Sequence, residues 1–380
     1  MKQIIHFLAT IIFVVIFSII SASMWGGKPE TLPENFNLTI NKEMTVSQFV
    51  EKNNLEKPFV KELLGLQSRD DLQKNILEFG SEEQLMAKYK KTLAIATEHE
   101  TKNWFKIPLK FATWLVMLVS VFLLLKSGKV TKSNRKWIYA ISFTIFGVIL
   151  GADPSPMGTV KDAIYLYGKA GAIFPPRMVA LTIFLLTVLL ANKFICSWGC
   201  QFGTLQDFIF RLNGDSKNNR LPQFKPSFAI SNSIRVFIFI AMCFTAIVYA
   251  TDFFSLIDPF KIFKPKMLGM VGTGFVGALL ILSLFTYRPW CLFFCPFGLV
   301  GWLVEKVSIF NIKVNYDTCI SCNKCSNECP STVMDAILKQ DKKVIPDCFS
   351  CGICVEVCPT NSVNFKAGKR TQVPEGKFTS

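Results

Sequence analysis

The C-terminal part of the chain contains two cysteine runs, CISCNKCSNECP at residues 319–330 and CFSCGICVEVCP at residues 348–359. Each run has the spacing C-x2-C-x2-C-x3-C-P. With two-residue spacers, three thiolates of one run surround a single cluster on a tight loop, and the fourth cysteine points at the other cluster. The two runs therefore predict a pair of [4Fe–4S] clusters in one small domain.

The spacing also predicts which cysteines share a cluster, as in a bacterial 2[4Fe–4S] ferredoxin-type α+β domain. The expected ligands are Cys319, Cys322, Cys325 and Cys358 for cluster 1, and Cys348, Cys351, Cys354 and Cys329 for cluster 2. Zinc sites and disulfides are the alternatives. Zinc sites normally use paired CxxC motifs, and a cytoplasmic location disfavours disulfides.

The rest of the chain has the composition of a membrane protein. Of its 380 residues, 51% are hydrophobic and only 18% are charged, and phenylalanine occurs 36 times. Long apolar runs predict a mainly α, polytopic helical membrane protein with about six spans. The expected spans are Ile4–Met24, Ile107–Leu125, Trp137–Gly151, Met178–Ile195, Ile230–Ala250 and Leu268–Phe285. The first run also resembles a signal peptide, but its length favours a retained anchor.

The net charge of +15 is concentrated in loops between the apolar runs. One loop contains Lys126, Lys129, Lys132, Arg135 and Lys136, and another contains Arg211, Lys217, Arg220, Lys225 and Arg235. This distribution is typical of positive-inside topology signals and argues against nucleic-acid binding. It predicts a multi-pass protein of the bacterial cytoplasmic (inner) membrane, in contact with lipid, with the ferredoxin domain in the cytoplasm.

The sequence divides into five expected parts. Residues 1–25 form the N-terminal anchor, 26–106 an external small helical domain, and 107–310 the membrane domain. Residues 311–366 form the ferredoxin domain, and 367–380 a basic flexible tail. In the external part, Ser81 and Gln84 are spaced as a capping box that begins a helix.

Two segments of the membrane part repeat each other. They read CSWGCQFG at residues 196–203 and CLFFCPFG at residues 291–298. Each follows an apolar run, and upstream of each lies an Asp-Pro pair, at Asp153 and at Asp258. This internal two-helix repeat predicts that both CxxxC motifs lie at the same membrane surface.

The repeated motifs predict a possible third thiolate site, formed by Cys196, Cys200, Cys291 and Cys295. Such thiols are able to hold a further cluster or a thiophilic metal, or to form dithiol couples. Cysteines four residues apart would share one helix face. Packing of buried apolar cysteines is the alternative. The Asp-Pro loops have two interpretations. In one, Asp153 or Asp258 borders a quinone pocket; in the other, the loops are only helix-ending turns.

Haem is not expected as a cofactor. The chain contains two histidines, His6 and His99, and neither stands in a CxxCH motif. A membrane b-type cytochrome needs paired imidazoles inside a helical bundle, which two such distant positions do not supply. The redox chemistry is therefore expected to use thiolates.

Residues 107–366 resemble the membrane-bound polyferredoxins of the NapH, NosR and RdxA (CcoG) type, through the two CxxxC motifs and the two ferredoxin runs. The resemblance implies electron transfer linked to quinol or to a reductase partner, or assembly of a metalloenzyme. The family usually has CxxxCP, so Gln201 departs from its pattern. NosR has an external flavin domain, but residues 25–106 lack the motif for covalent flavin, and no flavin is expected.

Three functional hypotheses follow. The favoured one is a membrane-anchored electron-transfer protein that relays electrons between a membrane donor, quinol, and a partner through two cytoplasmic [4Fe–4S] clusters. The alternative is a maturation factor that reduces or delivers a metal such as copper for a respiratory enzyme, using the CxxxC thiols. The third is a scaffold with structural clusters. Whether the chain is an enzyme is left open, and a subunit of an oxidoreductase system is favoured.

Overall fold

The computed structural model describes residues 2–25, 38–68, 70–213, 221–340 and 347–378, and the basic residues Lys217 and Arg220 lie outside these ranges. The fold is mainly helical. The helices are α1 Lys2–Trp25, α2 Val46–Lys52, α3 Lys57–Leu64, α4 Glu82–Thr101, α5 Lys106–Lys126, α6 Lys132–Phe143, α7 Pro156–Ala170, α8 Pro175–Ala191, α9 Phe194–Trp198, α10 Gln201–Leu212, α11 Phe228–Val248, α12 Phe254–Ile257, α13 Met270–Leu282, α14 Pro289–Phe293, α15 Pro296–Glu305, α16 Lys324–Glu328, α17 Val333–Lys339 and α18 Ile353–Glu356.

Shorter elements complete the chain. The strands are β1 Phe310–Val314 and β2 Val363–Ala367, the 3-10 helices are Asp70–Gln73, Ile76–Phe79, Pro259–Phe263 and Pro265–Met267, and a π-helix spans Thr144–Ile149. The π-helix directly continues α6.

Three of the described helices are long and apolar enough to cross a membrane: Gln3–Trp25, Lys106–Lys126 and Phe228–Val248. Three further apolar helices are shorter, namely α8, α13 and α15. On α11 the side chain of Phe237 is 72% exposed, and on α1 that of Ile5 is 61% exposed. Apolar side chains that face outward along such helices fit lipid contact. The count of six spans stays a prediction.

The described external residues, from 38 onward, form a small helical unit with its own apolar core around Phe49, Val60 and Leu85. The capping box predicted at the start of α4 is confirmed: the Ser81 hydroxyl accepts from the Gln84 N–H, and the Gln84 side chain accepts from the Ser81 N–H. The C-terminal half of α4 lies against the membrane domain, where Arg177 donates to Glu98 at 2.8 Å.

The external unit and the ferredoxin domain lie at opposite ends of α5. Near its start, the Lys110 ammonium donates to the Gly151 carbonyl at 2.8 Å, beside the loop that follows the π-helix. Beyond its end, Arg135 donates to the Cys351 carbonyl at 3.0 Å and to the Glu356 carboxylate at 2.9 Å. The basic loop after α5 therefore lies on the ferredoxin side.

The ferredoxin domain is built on an antiparallel pair of strands in which Ile312 faces Phe365. The expected flexible tail is packed against this pair. Arg370 donates to the Ile312 carbonyl at 3.1 Å, Thr371 to that of Val314 at 2.8 Å, and Lys377 to that of Cys319 at 2.9 Å. Basic and polar side chains of residues 368–378 thus bind backbone carbonyls of the domain, and the flexible tail expected at 367–380 stays a prediction.

Candidate metal centres

The structure groups the ferredoxin cysteines crosswise. Cys329 lies with Cys348, Cys351 and Cys354, and every pair of these thiols is close enough to interact electrostatically. Cys325 lies with Cys319 and Cys358. Each run thus contributes its fourth cysteine to the other group, which is the arrangement that a pair of [4Fe–4S] clusters requires.

Backbone amides support these thiols as anions. Ser350 N–H donates to Cys348 Sγ at 3.4 Å, and Ser362 N–H donates to Cys358 Sγ at 3.2 Å. Burial would raise the pKa of the Cys358 thiol, but the Thr360 hydroxyl and nearby amides hold it below its ordinary value. Hydrogen bonds to cluster sulfurs also raise the reduction potential, so these amides have a direct electronic effect.

The four CxxxC thiols converge on one place. Cys196, Cys200, Cys291 and Cys295 are each at most 7% exposed, and each of the six pairs is close enough to interact electrostatically. We call these four residues the membrane cysteine tetrad. Two cysteines from each repeat meet in it, so the structure places the two motifs together.

The sequence predicts that the two cysteines of one motif share a helix face. In the structure they belong to two different helices. Cys196 lies within α9, which ends at Trp198, and Cys200 is the N-cap of α10. In the second repeat Cys291 lies within α14 and Cys295 caps α15. The chain turns between the cysteines, and this turn brings both sulfurs to one side.

Glycine makes this turn possible in both repeats. A Cβ on Gly203 would lie 2.5 Å from the Cys196 carbonyl oxygen, and one on Gly298 would lie 2.8 Å from the Cys291 carbonyl oxygen. Both distances are below any normal contact with backbone, so only glycine fits. The turn therefore explains why a glycine stands three residues after the second cysteine of each CxxxC motif.

Buried cations surround the tetrad. Five are at most 2% exposed: Lys110, Lys193, Arg211, Arg235 and Arg288. Three buried carboxylates oppose them: Asp207, Glu305 and Asp347. With every group in its ordinary charge state, the five cations exceed the three carboxylates by two, and buried charge of one sign is costly without a counter-charge. A [4Fe–4S]²⁺ core with four thiolates has a net charge of −2, so the chemistry of this donor set fits such a cluster.

In the part of the chain that the structure describes, no three His, Cys, Asp or Glu side chains converge closely enough to hold one metal ion. The same holds for the ferredoxin cysteines. In a four-iron cluster each thiolate binds a different iron, whereas the ligands of a single zinc ion all lie within about 2.3 Å of it.

The tetrad lies beside the group that contains Cys348. Lys193 N–H donates to the Cys348 carbonyl at 3.3 Å, and Trp198 Nε1–H donates to the Ser350 carbonyl at 3.1 Å. Asp347 forms ion pairs with Lys193 and, at 3.1 Å, with Arg235. The group of Cys319, by contrast, reaches the surface, where Cys322 is exposed.

Several of these residues were missed or misread in the sequence. Arg135, Arg211 and Arg235 were interpreted as topology signals, but each is at most 2% exposed and forms an ion pair. Lys193 and Arg288 were not singled out. A signal for them exists, since each stands three residues before the first cysteine of its repeat.

A cavity of about 760 Å³ opens at the end of the membrane domain where α4 ends and α5 begins. It combines apolar and charged lining residues, among them Ile19, Ile107, Phe263, Asp153 and Lys264. A second, more polar cavity of about 410 Å³ adjoins it and shares Asp153 and Lys264 with it. We call them the outer cavity and the acidic cavity. The first has the size of a small-molecule site.

The two Asp-Pro aspartates are both at these cavities, but their pKa values are shifted in opposite directions. Burial would raise the pKa of Asp153, but Lys264 and Lys102 hold it below its ordinary value. Burial raises the pKa of Asp258 to about 6. Lys161 lowers the pKa of Asp258 by less than burial raises it. Its ammonium lies 3.9 Å from Asp258 but 2.8 Å from both Asp162 and Asp252.

Comparison with known proteins agrees with these sites. Residues 312–365 match the family described as 4Fe-4S dicluster domain. Residues 173–219 and 268–315 both match the family described as 4Fe-4S binding domain, and these two segments contain the two CxxxC motifs. These matches, together with the similarity to NosR, confirm the resemblance to the membrane-bound polyferredoxins.

Its relatives support an electron-transport role. YccM of Escherichia coli (strain K12), whose name assigns it provisionally to electron transport, is 33% identical over 206 residues, which are 51% of this chain and 57% of YccM. An uncharacterized protein of Methanocaldococcus jannaschii is 23% identical over 61% of this chain and 86% of its own length. The regulatory protein NosR of Pseudomonas aeruginosa is 27% identical over 35% of this chain and 19% of NosR.

The chain spans little more than half the length of YccM and about a fifth of NosR. No solved structure matches it significantly.

Proposed function

We propose that the protein transfers electrons between a quinol, bound at the external end of the membrane domain, and a redox partner at the ferredoxin domain. The observation that carries this proposal is the position of the membrane cysteine tetrad. Gln201, next to Cys200, binds the Asp153 loop at the outer cavity, and Lys193, near Cys196, binds the Cys348 carbonyl, so the tetrad has contacts toward both the cavity and the ferredoxin domain. Iron–sulfur clusters in the three cysteine groups supply one-electron transfer, and the eight ferredoxin cysteines together with the tetrad would hold three of them.

The loop of Asp153 connects the outer cavity to the tetrad. Gln201, which directly follows Cys200, donates to the Ala152 carbonyl at 2.5 Å. On the other side of the tetrad, the hydrogen bond from Lys193 to Cys348 leads to the ferredoxin domain. The chain thus offers a short through-bond connection at both ends of the tetrad.

The external aspartates suit the proton side of quinol oxidation. Oxidation of one quinol to the quinone releases two electrons and two protons. Lys264 forms an ion pair with Asp153 and keeps it ionised, and this ion pair is part of the wall shared by the two cavities. Asp258, with its pKa raised to about 6, accepts a proton readily near neutral pH and lies in the acidic cavity. Electrons and protons would thereby leave the quinol in opposite directions.

Iron analysis and EPR test the cluster content. The full chain in detergent should contain about twelve iron atoms, four for each [4Fe–4S] cluster. After reduction with dithionite it should show signals of [4Fe–4S]⁺ centres. A protein with anaerobically reconstituted iron but no such signals would refute the proposal.

The quinol is tested in lipid nanodiscs with menadiol as the electron donor. Anaerobic mixing of oxidised protein with menadiol should bleach the cluster absorbance, and Asp153→Asn should slow this reaction while leaving reduction by dithionite unchanged. Failure of menadiol and of a ubiquinol analogue to reduce the wild-type protein would exclude a quinol donor.

Metal-centre maturation is the second candidate, since the same four thiols are able to bind copper. It predicts that the tetrad retains copper and lacks iron, and copper and iron analysis of the Cys196→Ser variant separates the two functions. A purely structural role predicts cluster potentials that do not respond to a quinol.

A further inference from the structure

The two repeats differ at the residue that follows the second cysteine. The first repeat has Gln201 and the second has Pro296. Both residues occupy the first position of a helix, α10 or α15, where proline is well tolerated because no backbone N–H is needed. Helix formation therefore does not require a glutamine at position 201.

The glutamine makes one contact that proline is unable to make. Its side chain is fully buried, and Nε2 donates to the Ala152 carbonyl at 2.5 Å. Lys110 donates to the carbonyls on either side, at 2.8 Å to Gly151 and at 3.3 Å to Asp153. Three successive carbonyls of the Asp153 loop are thus bound by two buried side chains.

This contact has an energetic cost that an apolar residue would avoid. Gln201 Oε1 is buried and has no hydrogen-bond partner among the described residues. A buried acceptor without a partner destabilises the folded state, because it loses its hydrogen bonds to water and gains none in return. The donated hydrogen bond to Ala152 is therefore the feature that distinguishes glutamine from proline or leucine at this site.

We infer that Gln201 is a positioning residue that holds the Asp153 loop, and with it the wall of the outer cavity, against Cys200 of the tetrad. The inference rests on the proposed function. It assigns the entry of electrons to the first repeat, because Pro296 has no N–H or side-chain donor with which to hold the corresponding loop of Asp258. The repeats would thus contribute equally to the tetrad but unequally to the donor site.

The test uses two variants of the full chain, Gln201→Pro, which copies the second repeat, and Gln201→Leu, which keeps the size and removes the donor. Single-turnover reduction by menadiol in nanodiscs is compared with reduction by dithionite, which reaches the exposed ferredoxin end. Misplacement of a reactant by about 1 Å costs up to a hundredfold in rate. We expect menadiol reduction to slow roughly tenfold to a hundredfold, while iron content and dithionite reduction stay unchanged.

Gln372→Leu, at an exposed glutamine of the C-terminal segment, is the matched control and should behave as wild type. An unchanged menadiol rate in both Gln201 variants overturns the inference alone. Loss of iron from both variants also overturns it, since Gln201 would then be a structural residue. If menadiol does not reduce the wild-type protein, the proposed function fails, and the inference with it.

Discussion

Lys193 N–H donates to the carbonyl of Cys348 at 3.3 Å, and this hydrogen bond joins the first repeat of the membrane domain directly to the first cysteine of the second ferredoxin run. Lys193 stands three residues before Cys196. Its ammonium group forms an ion pair with Asp347, which directly precedes Cys348. The same residue thus connects two groups of cysteines that lie far apart in the sequence.

Removal of tetrad thiols should remove one cluster and spare the others. In the double variant Cys196→Ser, Cys291→Ser we expect about four fewer iron atoms per protein, because each repeat loses a ligand. The EPR signals of the ferredoxin pair should persist, since their eight cysteines remain. Iron analysis with EPR measures both, and Cys243→Ser, at a half-buried cysteine of α11, is the control. Full retention of iron would show that the tetrad holds no cluster.

Asp347 should be required for the attachment of the ferredoxin domain. Asp347→Asn leaves Lys193 and Arg235 buried without their carboxylate, and removal of one partner of such a pair costs about 3–5 kcal/mol. Thermal unfolding in detergent should shift to a clearly lower temperature.

The control for this prediction is Asp335→Asn. Asp335 pairs with Lys339 at the surface, where both side chains are about half exposed. Surface pairs contribute about 0–1 kcal/mol, so this variant should unfold close to wild type. Equal unfolding temperatures of the two variants would contradict the role of Asp347.

A methyl group on Gly203 should disrupt the tetrad. Gly203→Ala places a Cβ against the Cys196 carbonyl, and the turn between Cys196 and Cys200 has to open. We expect loss of about four iron atoms per protein, measured by iron analysis. Gly274→Ala is the matched control, because a Cβ on this glycine of α13 meets no atom within 4 Å. A Gly203→Ala protein with full iron content would show that the turn adapts.

Asp258 should make the protein less stable as the pH rises. Burial raises its folded-state pKa to about 6 from its ordinary value of 3.8. The folded state therefore holds the proton more tightly than the unfolded state, and stability falls as the pH rises from 3.8 to about 6. The total effect is on the order of 3 kcal/mol.

Asp258→Asn removes this titration, so the unfolding temperature should vary less between pH 4 and pH 6 than in the wild type. Lys161, Asp162, Asp252 and Asp153 face the same cavity and remain in the variant. The difference between the two pH profiles therefore isolates Asp258. Parallel profiles would mean that its pKa is not raised.

The sequence predicts the parts of this protein whose determinants are local. The crosswise grouping of Cys329 and Cys358 follows from spacing within two short runs, and the capping box at Ser81 lies within four residues. The 4Fe–4S character is confirmed by the family matches.

Features that depend on distant partners were not predictable. Arg235 looked like a loop charge because its partner, Asp347, belongs to another domain. The turn between Cys196 and Cys200 depends on the close approach of Gly203 to the Cys196 carbonyl. A rule based on helical spacing assumes one continuous helix and so does not predict this turn. The tail at residues 368–378 is held by carbonyls of β1 and of the cluster 1 loop, which composition does not reveal.

The buried position of the tetrad also constrains how the protein is made. Its four thiols come from two repeats, and the second pair is translated long after the first. No complete ligand set exists until both repeats have entered the membrane and packed together. A cluster held by the tetrad would therefore be loaded late in biogenesis, after the whole membrane domain has been inserted and folded.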